Sequence, residues 1–230
     1  MNTYRVMKIV SFPELKIGEE KTGSYSFTIP GFTEDTMTSI KYISKDYHGF
    51  EYFEVKHEII IKDHGIAFGF IDGEPIRLDF SGYKKSFTVK IYLNREFEFA
   101  FFSESTPVVR DFIKKIKTDS EMRVKIEEIQ LDLNKAASFV EEFRGVWFKG
   151  VSTRVSSSAL FGADLKNEPL FDQLQLDGAN LTSITVPFKN YHFQISTEAG
   201  ISSAQKIHSI AEELQVITEV KTELIDKIIR

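Results

Sequence analysis

Apolar and polar positions alternate with a period of two through most of the first hundred residues, the mark of half-buried strands. TYRVMKIV (3–10) and GSYSFTI (23–29) are short β-rich runs separated by the polar loop KIGEEKTG. A turn-like PGFTEDT follows, then SIKYIS (39–44) and the longer FEYFEVKHEIII (50–61). Two turn signals come next: Asp63-His64-Gly65 before IAFGFI, and Asp72-Gly73 between IAFGFI and PIRLDF. Asp-Gly between apolar runs predicts a tight hairpin, because glycine takes positive φ without a Cβ clash. With SFTVKIYL (86–93) and EFEFAFF (96–102), residues 50–102 read as an antiparallel meander.

The register of the last hairpin is set by asking which loop aligns the apolar faces. A three-residue loop, Asn94 to Glu96, puts Leu93 opposite Phe97 and Ile91 opposite Phe99, whereas a two-residue loop mixes the faces. That register sends Phe97, Phe99 and Phe101 to the core and Glu96 and Glu98 to solvent. It leaves Phe102 on the glutamate side, where it is a candidate partner contact.

A helix then begins at Ser105 or Thr106, with Pro107 in the first turn. Val108, Val109, Phe112, Ile113 and Ile116 form its apolar stripe, and Lys114, Lys115 and Lys117 suit the negative end of its dipole. From residue 119 the pattern restarts. MRVKIEEIQLDL (122–133) alternates like a strand, NKAASFVEEF (134–143) like a short helix, and RGVWFKGV (144–151) like another strand. Residues 152–169 carry no regular pattern. TSITVPF and YHFQIST form a hairpin around Lys189-Asn190, and a long amphipathic helix runs from about 203 to 229. Each half thus places strands first and helix last. The expected class is α+β, as subdomains 1–118 and 119–230 or one continuous domain of the same halves.

Composition narrows the chemistry. There is no cysteine, which removes disulfides, thiolate metal sites and a cysteine nucleophile. A net charge of −5 disfavours a broadly basic nucleic-acid binder, and 21 phenylalanines disfavour disorder. No run reaches the length of a membrane span, and the amino terminus lacks a signal-peptide apolar block, so a cytoplasmic protein is expected. No phosphate-binding glycine loop, dinucleotide fingerprint, nucleophile elbow or zinc spacing occurs. No cofactor is implied.

Four groupings remain. Glu54-Val55-Lys56, with Asp46 upstream, could hold Mg²⁺ on two carboxylates and orient a water with the lysine, as in a nuclease. A solvated strand face with alternating charge reads the same way, and E-x-K recurs at Glu219 to Lys221 in the last helix. His48, His57 and His64 lie close in sequence, and a hairpin could bring His57 and His64 together, but their spacing is not a metal-ligand pattern. His192 and His208 have no evident partner. Arg144, Trp147, Lys149 and Arg154 mix cations with an aromatic, as in single-strand nucleic-acid binding, although the strand period favours Trp147 as core. Finally Ile207, Ile210, Leu214, Ile217, Leu224 and Ile228 form a heptad-like stripe broken by Lys221, suited either to the chain's own sheet or to another chain. The expectation is a non-enzymatic assembly protein, binding a protein partner or itself through this last helix. A nucleic-acid-binding subunit or metal-dependent nuclease is the competing class.

Overall fold

The period-two runs are realised as one antiparallel sheet in a computed structural model that describes residues 2–29 and 32–230. Strands β1 (Thr3–Ser11), β2 (Glu20–Ile29), β3 (Phe32–Tyr47), β4 (Phe50–Ile61), β5 (Gly65–Ile71), β6 (Glu74–Phe80), β7 (Tyr83–Asn94) and β8 (Phe99–Ser103) precede helix α1 (Thr106–Thr118). Then come β9 (Lys125–Glu128), α2 (Leu133–Ala136), β10 (Gly145–Lys149), β11 (Ser157–Phe161) and α3 (Pro169–Leu176). The chain closes with β12 (Asn180–Phe188), β13 (Tyr191–Ser196), β14 (Gly200–Ser203) and α4 (Ile210–Glu223). The class is α+β, dominated by antiparallel strands. The turn expected at Pro30-Gly31 lies outside the described residues.

Among the described residues twelve strands join in one sheet, ordered β11-β10-β12-β13-β14-β1-β8-β7-β4-β3-β2, with β9 also pairing β1. The sheet does not stop between residues 118 and 119. β1 lies between β8 and β14, so strands of both halves share one ladder. Buried Arg5 of β1 reinforces this seam, reaching Glu128 at 2.8 Å and Glu198 at 3.2 Å.

The sheet is covered on both faces near its centre, which gives two cores. On one side α1 brings Val108, Val109, Phe112, Ile113 and Ile116 onto Val55, Val89, Ile91 and Phe102. On the other, α4 lays Leu214, Ile217 and Val220 into a cluster with Tyr4, Tyr92, Phe101, Val146 and Ile184. Strand β8 is therefore buried on both faces, Phe99 and Phe101 to one core, Ala100 and Phe102 to the other.

That double burial corrects two expectations. β7 and β8 pair Leu93 with Ala100, Tyr92 with Phe101 and Ile91 with Phe102, around a four-residue turn, Arg95 to Glu98. Aligning apolar faces selects a register only when one face is wet, and here neither is. The turn decides instead. The Asn94 side-chain oxygen accepts from the Phe97 N–H at 3.0 Å, Glu98 takes a left-handed φ of 52°, and Arg95 grips Glu51 at 2.9 Å. Phe97 stands 65% exposed in that turn, whereas Phe102 is fully buried, its ring 6.2 Å from Phe112. Phe102 is core and offers no surface to a partner.

The last helix is shorter than its pattern. Residues 200–203 are spent on β14, Ser209 caps α4 through its hydroxyl to the Glu212 N–H, and a 3-10 turn follows at Ile225–Lys227. Ile207, Leu214, Ile217, Leu224 and Ile228 are buried and Ile210 half-buried, all against the chain's own core. The stripe predicted as a partner surface is thus occupied at home. Lys221 fits within it by placing its ammonium 4.3 Å over the Phe99 ring and pairing with Asp226 at 2.9 Å.

Candidate functional site

β4 and β7 pair out to Ile61 and Tyr83, and between those residues the chain makes a separate ribbon, β5 with β6. Its tip is the Asp72-Gly73 turn, with φ of 52° and 86°, the two positive values of the type I′ turn that suits right-twisted strands. At its base the Phe80 ring lies over Gly65, where a Cβ would come 2.5 Å from the ring tip and oblige the ring to shift. The hairpin is well specified locally. Its surface is not that of an ordinary solvated hairpin.

Ile66, Phe68 and Phe70 alternate onto one face, opposite Asp79, Arg77 and Pro75. Ala67, Gly69 and Ile71 occupy the other, together with Ile76 and Phe80. Phe68 is 83% and Phe70 76% exposed, with Ile66 and Ile71 also open. A buried aromatic covers about 150–250 Å², so the row of Ile66, Phe68 and Phe70 presents about 400 Å² of apolar surface on one face, at the scale of functional patches. An isolated two-stranded hairpin is marginal in water, and among the described residues of this one no side chain is fully buried.

The backbone edges of the ribbon differ. A two-residue hairpin hydrogen-bonds its closing pair, here Ile71 and Glu74, so Ile66, Phe68 and Phe70 turn their N–H and C=O groups outward, as do Pro75, Arg77 and Asp79. Proline has no N–H, so Pro75 interrupts the outer edge of β6. β5 retains every outward donor and carries no charge along its length. Among the described residues the ribbon forms a two-stranded sheet only. Beside its base a cleft of about 560 Å³ is lined by Phe27, Ile60, Lys62, Phe80, Tyr83 and Lys84, with the Lys62 ammonium 5.9 Å from the Phe27 ring.

The chain matches no protein-family model and no curated protein.

The residues singled out from sequence are distributed as follows. Glu54 lies opposite Lys41 on β3 and Lys90 on β7, and accepts a 2.6 Å bond from the Tyr52 hydroxyl. Lys56 lies opposite Ser39 and Thr88. Both belong to a cross-strand polar face. Asp46 sits at the far end of the hairpin, its carboxylate accepting from the Gly49 N–H at 3.1 Å. The three are not brought to one point, and no group of three His, Asp or Glu suited to a metal occurs among the described residues. Alternation on a strand face explains the E-x-K spacing.

Nor do the histidines meet. His48 has a left-handed φ of 55° in the β3–β4 turn, His64 is exposed at the ribbon base, and His57 is wholly buried under α1. His57 instead completes a network that sequence alone did not reveal. Its Nδ1 lies 2.8 Å from Thr38 Oγ1, and its Nε2 lies 3.0 Å from Asp111 Oδ2 on α1. Lys115 adds a 3.1 Å contact to Asp111 and donates to Thr36 Oγ1 and the Glu58 carbonyl. Hydroxyl, imidazole and carboxylate in line resemble a nucleophilic triad. Thr38, however, is fully buried, so no substrate reaches its oxygen. The network is a polar clamp holding α1 to β3 and β4. Burial alone would raise the Asp111 pKa, but hydrogen bonds from His57 and Lys115 outweigh it and hold the carboxyl below its ordinary range.

In the second half, Trp147 and Lys149 share a face of β10 with Gly145, away from Val146 and Phe148 in the core. Trp147 is half-buried rather than core. Its indole lies across Gly145, where a Cβ would come within 3.1 Å, and meets exposed Phe161 edge-on at 5.2 Å. Arg144 pairs with Glu142 at 2.7 Å, and Arg154 lies in the loop before β11. The four residues do not converge into one basic-aromatic surface.

Proposed function

We propose that this is a non-enzymatic assembly protein whose contacts with other protein run through the β5–β6 ribbon. The observation that carries the reading is the exposure of Phe68 and Phe70 on a hairpin that has apolar residues on both faces and no cover. Native edges are normally blunted by charge, proline or a covering element. β6 has Pro75 and two ion-pairing side chains, whereas β5 has none of these, so the asymmetry leaves one edge and one aromatic row open for docking. The buried C-terminal stripe cannot serve the same role without opening its own core.

The test compares wild-type protein with the double variant Phe68→Ser/Phe70→Ser by in-lysate crosslinking and mass spectrometry, with circular dichroism as the folding control. Ribbon-mediated assembly gives crosslinked protein, whether self or other, that disappears in the folded variant. Identical crosslinks in both would sink the reading.

A second, nucleic-acid reading is favoured by one feature, the Trp147–Phe161 pair beside Lys149 on the outer face of β10. Trp147 is the sole tryptophan, so single-stranded oligonucleotide stacking would quench its emission, and an unchanged spectrum removes this reading.

A further inference from the structure

We infer that the occupant of the β5 edge is β5 of a second copy of this chain, paired antiparallel about a two-fold axis through Phe68; this rests on the ribbon being the assembly surface. The register follows from three constraints. First, only residues with outward backbone groups can pair across the edge, which restricts the match to Ile66, Phe68 and Phe70. Second, centring on Phe68 sets Phe68 against its own copy and Ile66 against Phe70 of the second copy, so every outward apolar residue meets another. Centring on Gly69 would instead set Ile66 against Asp72 of the second copy.

Third, the polar groups flanking β5 differ at its two ends. Asp72 is at the tip, while Lys62, Asp63 and His64 are at the base, where Lys62 is the cation. Antiparallel pairing about Phe68 brings Asp72, just past the end of β5, toward the base of the second copy with its His64 and Lys62, twice by symmetry. Parallel pairing would set like groups side by side. The contact is isologous and closes on itself, so it yields a dimer rather than a filament. Its apolar area is below that of standard stable interfaces, so the dimer is concentration-dependent.

The cysteine-free background supplies a direct test. On the symmetry axis, Phe68→Cys places two thiols across one hydrogen-bonded pair, where Cα atoms lie about 5.5 Å apart, within disulfide range. Mild oxidation of that variant is expected to give a covalent dimer, while Phe161→Cys, also exposed but on β11 at the opposite end of the sheet order, stays monomeric. Sedimentation of wild-type protein from micromolar to millimolar concentration should show a monomer–dimer equilibrium, weakened at least tenfold by Phe68→Lys, which opposes two ammonium groups on the axis. Asp72→Lys should weaken it as well, and Asp72→Lys/His64→Asp should restore it. A strictly monomeric wild type, or equal crosslinking at positions 68 and 161, overturns the pairing. If the wild type is monomeric yet ribbon-dependent crosslinks to another protein persist, only the second-copy inference fails. If those crosslinks are absent too, the assembly reading fails with it.

Discussion

Phe97 and Phe102 lie five residues apart and have opposite fates, each the reverse of what alternation predicts. Phe102 fills the core beneath α1 between Ile91 and Phe112, so Phe102→Ala should cost about 3–5 kcal/mol in urea denaturation. Phe97 sits in an open turn, and Phe97→Ala should change stability by no more than about 0.5 kcal/mol. Equal costs at both positions would contradict the four-residue turn. That Asn94 can accept from a following N–H is a property of the residue type, but the expected loop rested on face matching alone, and face matching misleads wherever a strand has two buried sides.

At the scale of elements, α1 was legible almost residue by residue, because Pro107 and its apolar stripe are local signals. What anchors it was not. Thr38, His57, Asp111 and Lys115 are distant in sequence and converge only when β3 and β4 pair beneath the helix. Because the Asp111 pKa is lowered in the folded state, its contribution is complete above the ordinary carboxylate range and is lost as pH falls below about 4. The stability difference between wild type and Asp111→Asn should therefore shrink from about pH 5 to pH 2, measured by urea titrations at each pH. A constant difference would show that the carboxylate charge does not matter to the clamp. For α4, the apolar stripe from Ile210 to Val220 was legible, but its length was not: Ile207 precedes the helix, and Leu224 and Ile228 lie beyond its end. Removing residues 214–230 strips Leu214, Ile217, Val220 and Ile228 from the core, so the truncated chain should lose its cooperative thermal transition. A folded, smaller species by light scattering would instead mean that the stripe is dispensable at home.

For the whole molecule, the ribbon and the twelve-stranded sheet are separate structures in one chain. Ile61 and Tyr83 already face each other across β4 and β7, so residues 62–82 can be exchanged for a two-residue Asp-Gly turn without disturbing either core. The excised protein should keep the wild-type melting temperature to within a few degrees and lose self-association in sedimentation. Unfolding on excision would make the ribbon structural rather than a docking element.

Much of this protein was determined by local sequence. The strand-rich first half, the Asp72-Gly73 hairpin, the proline-marked start of α1 and the amphipathic final helix all arise from φ preference, side-chain period and capping, which act within a few residues. Tertiary structure alone decided which apolar runs are spent and which remain open. FAFF and the α4 stripe are covered because helices from different parts of the chain close on both faces of β1 and β8. IAFGFI reads equally apolar, yet lies past the reach of either helix, where the sheet has ended and a tight turn sends the chain back. Burial depends on what arrives from a distance, and periodicity within a segment carries no record of that.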